Sequence, residues 1–325
     1  MATAEVWKIS DLSLPVAIYM NKKIAQNPEA TRGSVALVTC REALGIDYDM
    51  PLLVEATAAT GWQVVEACWD DESIDWSQFD AVVIRSTWDY HRRYGEFMRW
   101  VEHVASVSKL FNPADVIVWN TDKHYLAEIA RAGLPVVPTT FVEPSDAGPL
   151  DGDWSTTLKS LLALGDVVVK PTVSAGSNDT ERHREFSIAQ RHILELLERG
   201  RSVMLQPYLA EVDIQSETGL VYIGGQFSHA FVKGPLLANV KNMSGGLYAE
   251  EEIGGCQPTP EQLDLGERTM AWLTPRFGPL LYARIDLLPS LDGPVIIEIE
   301  LTEPSLYLLL HPPAATTLAQ ALTTD

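Results

Sequence analysis

The chain contains 325 residues, and its 44 aspartates and glutamates against 24 lysines and arginines give a formal net charge of −20. This charge repels nucleic-acid phosphates and anionic membrane surfaces, so a general nucleic-acid-binding or membrane-surface function is disfavoured. Apolar residues make up 46% of the chain and charged residues 21%, which is typical of a globular protein of about two domains rather than a disordered or fibrous one.

Cysteine usage and hydropathy bear on the cellular compartment. Cys40, Cys68 and Cys256 stand far apart, which indicates neither a disulfide framework nor a thiolate metal site and favours a reducing environment. No apolar run reaches the roughly 18 residues that a membrane helix needs, and the short apolar segment 14–20 lacks a basic leader. We therefore expect a cytoplasmic protein with no membrane or nucleic-acid partner, and the sequence leaves its oligomeric state open.

Residues 1–33 show no clear periodicity and end in an Arg-Gly-Ser turn signal. We interpret them as an extension outside the fold, either native or left over from expression. The alternative is an extra edge strand at residues 16–20.

The segment 34–120 has the pattern of an α/β domain. A strand at 35–40 precedes a helix that begins at Asp49 and ends at Gly61, and a second strand follows at 63–69. The continuous apolar run 81–84 predicts a strand buried on both faces, which indicates a parallel sheet covered by helices. Ligands bind such sheets at the carboxyl ends of the strands.

Polar residues follow two of these predicted strands. Glu42 comes after the first strand, and Arg85 and Ser86 come after the third. Arg85 carries a fork-shaped guanidinium and is our candidate for gripping a substrate, with Ser86 and Glu42 beside it. The alternative is a structural ion pair between Arg85 and either Asp89 or Glu42.

A bound anion would explain the positions of two lysines, Lys123 and Lys170. The segment Asn120–Lys123 is predicted to cap a helix running to about Arg131, which puts Lys123 in the first turn. A helix N-terminus disfavours a cation, so Lys123 either contacts a phosphate or points to solvent. Lys170 ends an apolar strand, and the small-residue loop 172–177 that follows can cover a phosphate with backbone N–H groups and hydroxyls.

Hairpins replace βαβ units in the second half of the chain. A strand at 202–206 is followed by strands at 219–223 and 226–233, which a Gly-Gly turn connects. The change predicts a second domain of α+β type over 121–325, divided into lobes at about 121–205 and 206–325.

A hairpin near the carboxyl terminus carries the strongest local pattern. Its strands, 281–288 and 295–301, alternate apolar and charged residues. A three-residue loop, 291–293, would place Asp286 opposite Glu298 and Arg284 opposite Glu300, with all four side chains on one face.

Three carboxylates on this face, Asp286, Glu298 and Glu300, would repel one another and raise each other's pKa values unless cations compensate. Oxygen ligands without histidine or cysteine suit magnesium or manganese, which bridge substrate phosphates. The alternative is a solvated hairpin face with one Arg-Glu pair.

Taken in order, these segments resemble the ATP-grasp superfamily, and within it the glutathione-synthetase-like ligases. The resemblance covers residues 34–315 and implies a parallel αβ N-terminal domain followed by a two-lobed ATP-grasp domain with antiparallel sheets. It rests on the segments Asn120–Lys123, Val169–Pro171, Gln206–Leu209, the Gly-Gly hairpin leading to Lys233, Arg284–Asp286 and Glu298–Pro304.

The resemblance also implies roles for individual residues. Phosphates of ATP would be contacted by Lys123 and Lys170 and covered by Ser174, Ala175, Gly176 and Ser177. Adenine would be held by Gln206, Pro207, Tyr208 and Leu209, with Glu211 or Asp213 near the ribose, and two magnesium ions by Asp286, Glu298 and Glu300. Two departures stand out: Glu300 occupies a position where many relatives have asparagine, and the phosphate loop has serine where glycine is frequent.

The activity that the resemblance implies is ATP-dependent carbon-nitrogen ligation of a small amino-acid-like substrate. The substrate carboxylate would attack the γ-phosphate, and a nitrogen would then displace phosphate from the acyl phosphate. Lys233 and Arg284 would neutralise charge, and Arg284 would stabilise the tetrahedral oxyanion. The segments VALVTCRE and IRSTWDYH are most similar to actinobacterial members, among them enzymes of antibiotic biosynthesis that close a ring within one substrate. The alternatives are an intermolecular amide ligase and a non-catalytic ATP-binding module.

Overall fold

The computed structural model describes residues 7–8, 32–146, 153–234, 237 and 252–323. Over these residues the chain forms three sheets, and no helix among them is both long and apolar enough to cross a bilayer. Trp7–Lys8 form a short strand, β1, which the sequence did not predict. The alternative edge strand at 16–20 lies outside the described residues.

The first sheet is parallel, as the sequence predicted. Its strands lie in the order β3-β2-β4-β5. They are β2 (Ser34–Thr39), β3 (Gln63–Cys68), β4 (Ala81–Ser86) and β5 (Lys109–Phe111). Helix α1 (Met50–Ala59) packs on one face of this sheet and α2 (Tyr94–Val107) on the other. Alternate residues of β2 and β4 therefore enter two different cores, which explains why these strands are apolar throughout.

The second sheet is antiparallel, with the order β6-β9-β7-β8. Helices α3 (Ala114–Asn120) and α4 (Tyr125–Arg131) precede it. Its strands are β6 (Thr140–Val142), β7 (Val167–Pro171), β8 (Glu181–His183) and β9 (Val203–Pro207). Helices α5 (Asp153–Leu164) and α6 (Phe186–Glu198) bury apolar side chains against it.

The third and largest sheet has the order β1-β12-β11-β10-β13-β14. After the short helix α7 (Val212–Gln215) it contains β10 (Glu217–Ile223), β11 (Gln226–Lys233), β12 (Glu252–Cys256), β13 (Tyr282–Ser290) and β14 (Gly293–Glu300). Helix α8 (Pro260–Phe277) precedes β13, and α9 (Pro313–Ala321) follows β14. Gly224 and Gly225 form the predicted two-residue turn with φ values of 57° and 78°, a left-handed conformation that glycine adopts without strain.

One hydrophobic core joins the parallel sheet to the largest sheet. It contains Val35 and Leu53 from the first sheet and its helix, Val221 and Phe231 from β10 and β11, and Leu318 from α9. The C-terminal helix α9 packs against α1 and thereby closes this core.

The helix predicted after the segment 120–123 is present as α4 and ends at Arg131 as expected, but it begins at Tyr125, so Lys123 precedes its first turn. Asn120 ends α3. The Asn120 side chain donates to the carbonyl of Ile299 and accepts from the N–H of Leu301, both at 2.7 Å. It therefore holds the end of β14 rather than the start of a helix.

The carboxylate hairpin has the predicted pairing but not the predicted turn. Asp286 faces Glu298 and Arg284 faces Glu300, as expected. However, Ser290 pairs with Gly293 across a two-residue turn, and a bulge next to Leu287 supplies the extra residue in β14 instead.

Candidate active site

A deep cleft lies between the three sheets. It is lined by β7, β9 and the loop 174–180, by β10, β11, β13 and β14, and by the segments 46–49 and 303–310. The cavity volume of the cleft is about 250 Å³, close to the lower end of the roughly 300–1,000 Å³ of typical small-ligand pockets.

Most of the residues that the sequence singled out line this cleft. They are Lys123, Lys170, Ser174, Ala175, Gly176, Ser177, Gln206, Pro207, Tyr208, Leu209, Lys233, Arg284, Asp286, Glu298 and Glu300.

Lys123 connects the loop to the carboxylate hairpin. Its Nζ donates to the carbonyl of Ser174 at 2.9 Å and lies 2.9 Å from Glu298 Oε1. Its backbone N–H donates to the carbonyl of Thr172. The side chain is buried, and although burial opposes it, the pairing with Glu298 raises the pKa of Lys123. This lysine therefore remains charged within the cleft.

Lys233 forms a second ion pair, with a residue that the sequence did not single out. Its Nζ lies 2.7 Å from Glu217 Oε1 and 3.4 Å from Asp286 Oδ2. A two-residue turn alone would pair Glu217 with Val232, but a bulge beside Val221 shifts the register so that Glu217 faces Lys233. The sequence contains no clear signal for that bulge.

Arg284 pairs with two carboxylates of the hairpin. Its guanidinium donates twice to Asp286, at 2.8 and 2.6 Å, and also to Glu300. A further bond reaches the carbonyl of Ser305 at 3.1 Å. Because Arg284 and Asp286 are buried, these charge-assisted bonds fix the guanidinium in one orientation.

Lys170 is in a different electrostatic state from the other cleft cations. Among the described residues it forms no ion pair within 4 Å. Burial lowers its pKa to about 8, and the charges of Lys123 and Lys233 add to this effect while Glu298 opposes it. A buried cation with a lowered pKa is stabilised when an anion binds beside it.

Two carboxyl groups at the end of the hairpin have raised pKa values. Burial raises the pKa of Glu300 to about 8 and that of Glu303 to about 7. Arg284 opposes the shift at Glu300, and Lys123 opposes the shift at Glu303. The negative charge gathered here is therefore only partly compensated by the protein's own cations.

The wall of the cleft formed by β9 contains an unsatisfied acceptor. The side-chain nitrogen of Gln206 donates to Thr139 Oγ1 at 2.8 Å, whereas its Oε1 is buried and has no partner among the described residues. A buried acceptor without a donor is costly, so this position suits a ligand with an N–H group.

Comparison with known proteins identifies relatives of this arrangement. Residues 35–112 match the family model of the N-terminal domain of D-cycloserine synthetase DcsG. The cycloserine biosynthesis protein DcsG of Streptomyces lavendulae is 38% identical over 300 residues, which cover 89% of this chain and 98% of that protein. The chain belongs to the DcsG family.

Solved structures agree with the DcsG assignment. The crystal structure of D-cycloserine synthetase DcsG superposes with a TM-score of 0.80 at 37% identity, over 89% of this chain and 98% of that one. The ATP-grasp ligase PsnB, complexed with a precursor variant, Mg and ADP, shares the fold, with a TM-score of 0.57 at 16% identity over 88% of this chain and 98% of that one. This DcsG-family chain is an ATP-dependent ligase with the ATP-grasp fold.

The two residues predicted near the ribose lie outside the cleft lining of this DcsG-family protein. Asp213 accepts a hydrogen bond from the hydroxyl of Tyr208, and only Val212 of the segment 211–213 lines the cleft. Asp213 is therefore engaged in holding Tyr208.

The three residues predicted to grip a substrate are also absent from the described cleft lining. Glu42 is exposed and pairs with Arg92 at 2.8 Å, and the hydroxyl of Ser86 donates to Thr39. Arg85 is buried; its Nη2 donates to the carbonyl of Pro304 at 2.9 Å and lies 3.7 Å from Asp49. The alternative pairing of Arg85 with Asp89 or Glu42 is wrong as well, because its carboxylate partner is Asp49.

Asp49 organises the C-terminal segment that lines the cleft. Its carboxylate accepts backbone N–H bonds from Leu306 and Leu308 at 2.7 Å and from Tyr307 at 3.1 Å. The sequence predicted Asp49 to start α1, and it does occupy that position, but its side chain makes no cap hydrogen bond there.

We expect Asp49→Asn to lower the melting temperature and raise KM, because the new amide N–H₂ would face a backbone donor and loosen segment 305–308. An unsatisfied buried group of this kind costs about 1–3 kcal/mol. Thermal denaturation and steady-state kinetics check this expectation, with Asp292→Asn, in the exposed turn between β13 and β14, as the control. An unchanged KM together with a lowered melting temperature would limit Asp49 to a role in stability.

Glu303 is a further cleft residue to which the sequence assigned no role. It belongs to the Glu298–Pro304 segment, but β14 ends at Glu300, so strand alternation does not predict where the Glu303 side chain points. Its carbonyl accepts a hydrogen bond from the indole of Trp88 at 3.1 Å, which connects it to the N-terminal domain.

His124 lies between two carboxylates. Its ring nitrogens are 2.6 Å from Asp122 and 2.8 Å from Glu143, and despite partial burial these bonds raise its pKa above 6.5. The native state therefore binds this proton more tightly than the unfolded chain does. The resulting stabilisation is complete below pH 6.5 and is lost as the pH rises through the native-state pKa.

We expect the melting-temperature difference between the wild type and His124→Gln to shrink as the pH is raised above 6.5. A constant difference would contradict this prediction.

Proposed function

We propose that this chain is a cyclo-ligase of cycloserine biosynthesis that uses ATP and magnesium to convert O-ureido-D-serine and water into D-cycloserine, with release of ADP, phosphate, carbon dioxide and ammonia. The observation that carries the proposal is one cleft in which three lysines and an arginine meet the carboxylates of the β13–β14 hairpin. The relationship to DcsG over almost its whole length supports the choice of substrate.

The nucleotide would lie between β9 and the loop 174–177. Gln206 Oε1, which lacks a donor among the described residues, fits the exocyclic amino group of adenine. Lys123 and Lys170 would contact the phosphates, and Lys170 would gain the anionic partner that its lowered pKa indicates it needs. The backbone N–H groups of the loop would cover the same phosphates.

The donor set of the hairpin fits magnesium. Asp286, Glu298 and Glu300 offer carboxylate oxygens only. Burial raises the pKa of Glu300, and the charges of Glu298 and Asp286 add to this shift, which a hard divalent cation would oppose. Magnesium, when bound, would neutralise phosphate charge during transfer.

The protein's own residues would then align and stabilise the reacting groups. A carboxylate oxygen of the substrate attacks the γ-phosphorus, the bond to ADP breaks, and an acyl phosphate forms. A nitrogen of the same molecule attacks the acyl carbon and loses a proton, and inorganic phosphate leaves. Water hydrolyses the carbamoyl group from this nitrogen, so carbon dioxide and ammonia are released as well and the product is D-cycloserine. The fixed guanidinium of Arg284 would stabilise the oxyanion of the attack on the acyl carbon. Because the attack is intramolecular, only one small molecule has to be oriented.

An ADP-release assay with a panel of substrates tests this function. We expect ADP with O-ureido-D-serine alone, in proportion to the D-cycloserine that chromatography detects. ADP formed only when a carboxylate and a separate amine are both present would instead establish an intermolecular ligase. No ADP with any pair would identify a non-catalytic ATP-binding module.

Glu298→Gln tests the metal assignment separately. We expect turnover to fall and the magnesium concentration needed for half-maximal rate to rise, because one anionic ligand is lost. Glu303→Gln, in the same cleft but outside the proposed ligand set, is the matched control. An unchanged magnesium dependence in Glu298→Gln would remove Glu298 from the metal site.

A further inference from the structure

A second group of potential metal ligands lies apart from the cleft lining, on β8 and α6. His183 Nε2 is 3.0 Å from His192 Nδ1. Glu181 Oε2 is 3.6 Å from the first nitrogen and 4.0 Å from the second. The three atoms thus form a compact triangle.

The secondary structure explains why these side chains converge. Glu181 and His183 are two residues apart on β8, so they point to the same face of the strand. Helix α6 packs against β8, and His192 belongs to its buried face together with Ala189 and Ile193. The two histidines are only 4% and 7% exposed, whereas the Glu181 side chain is 26% exposed. The triangle therefore opens to solvent on the side of the glutamate.

The spacing matches a transition-metal site. Zinc bonds of 2.0–2.1 Å in a tetrahedral arrangement separate neighbouring ligand atoms by about 3.3 Å, within the range of the three distances here. In the metal-free chain the two facing ring nitrogens share one hydrogen bond, and a bound ion would replace its proton, because neutral imidazole coordinates metals through a ring nitrogen. The carboxylates of Glu195 and Asp179 add negative charge near Glu181, which favours a cation.

We propose that Glu181, His183 and His192 bind one divalent transition-metal ion, with zinc as the expected ion. Two imidazole nitrogens favour zinc over magnesium, which distinguishes this site from the all-oxygen hairpin. The exposed side of Glu181 leaves the fourth position to water.

The ion would stiffen the end of the loop that lines the cleft. Thr180 lines the cleft and immediately precedes Glu181, and the ring of His192 also bonds to the backbone of Asp179. Arg201 holds the same loop by pairing with Asp179 and donating to the carbonyl of Val173. An ion at this position would therefore order residues 177–183 whether or not the proposed ligase reaction is correct.

Calorimetric titration of zinc chloride into the untagged, chelator-treated chain tests the site. Excess magnesium is present throughout to occupy the carboxylate hairpin. We expect one zinc ion per chain, and zinc X-ray absorption should show two nitrogen ligands. His192→Gln should weaken binding by more than the roughly 10–100-fold that loss of an outer hydrogen-bond partner costs.

Three controls make the outcome specific. His103→Gln removes an exposed histidine and should bind zinc as the wild type does, and Glu298→Gln should do the same because it alters only the cleft. His183→Asn should repeat the loss seen with His192→Gln, and circular dichroism establishes that both variants are folded. Hydrogen exchange of residues 177–183 should slow when zinc binds to the wild type.

Equal zinc affinity of the wild type and His192→Gln would overturn the proposal. So would binding abolished by Glu298→Gln, because that result would assign the zinc to the hairpin. Neither result depends on turnover, so failure of the proposed reaction would leave the zinc measurement interpretable.

Discussion

Lys170→Met is expected to produce a protein that is more stable than the wild type and almost inactive. Turnover should fall by about 10²–10³-fold, the effect of removing one charge-stabilising group from an active site. The melting temperature should rise, because in the ligand-free chain Lys170 is a buried cation whose burial lowers its pKa to about 8. Methionine fills similar space and needs no compensating charge.

The pH dependence gives the same prediction a second readout. Because the native pKa of Lys170 is about 8 and the ordinary lysine value is 10.5, the unfolded chain binds more protons than the native state between these two values. As the pH rises through this range, the free energy of unfolding of the wild type should therefore increase. Lys170→Met should lack this increase. Lys159→Met, on the exposed side of α5, is the control. A lower melting temperature for Lys170→Met would show that the charge of Lys170 is already stabilised in the free protein.

Arg284→Met should have the opposite effect on stability. It removes the partner of two carboxylates, the buried Asp286 and the half-buried Glu300, and leaves only Lys233 beside Asp286 to compensate them. Breaking a buried pair in this way costs about 3–5 kcal/mol, and turnover should be lost as well. Urea denaturation measures the free energy of unfolding.

The matched control for Arg284→Met is Arg268→Met. Arg268 forms an exposed pair with Asp264, one helical turn away on α8, and such pairs contribute about 0–1 kcal/mol. The double variant Arg284→Met/Glu300→Gln should recover part of the lost stability, because it removes one of the two carboxylate charges that have lost their arginine partner. If the double variant were less stable than Arg284→Met, repulsion between the carboxylates could not be the cause.

The pattern of the carboxylate hairpin was sufficient to predict its pairing, because strand alternation and one buried face restrict the register to a few choices. The position of the extra residue in β14 was not predictable. A bulge within the strand and a three-residue turn change the register of the two strands by the same amount, so both give the same pairing of the charged residues. The same limit explains why Glu217 was missed: its contact with Lys233 depends on a bulge in a different hairpin.

The surroundings of a strand end could not be predicted from the sequence. Arg85 lies at the carboxyl end of the buried parallel strand β4, where ligands commonly bind, and it contacts Pro304 and Asp49. Sequence position shows which edge of the sheet a residue reaches but not which distant segment covers that edge. The segment here is the C-terminal stretch 304–308, some 219 residues from Arg85, and nothing local to β4 encodes its presence.

The core shared by β2, β10, β11 and α9 has a consequence for the engineering of chimeric enzymes. Exchanging residues 34–120 for the matching part of a distant relative would replace Val35 and Leu53 but keep their partners Val221 and Leu318. Interiors pack too tightly to accept such a mismatch without cavities or strain. A chimera should therefore take α9 from the same parent as the N-terminal sheet. The unit that can be exchanged consists of two segments that are far apart in the chain.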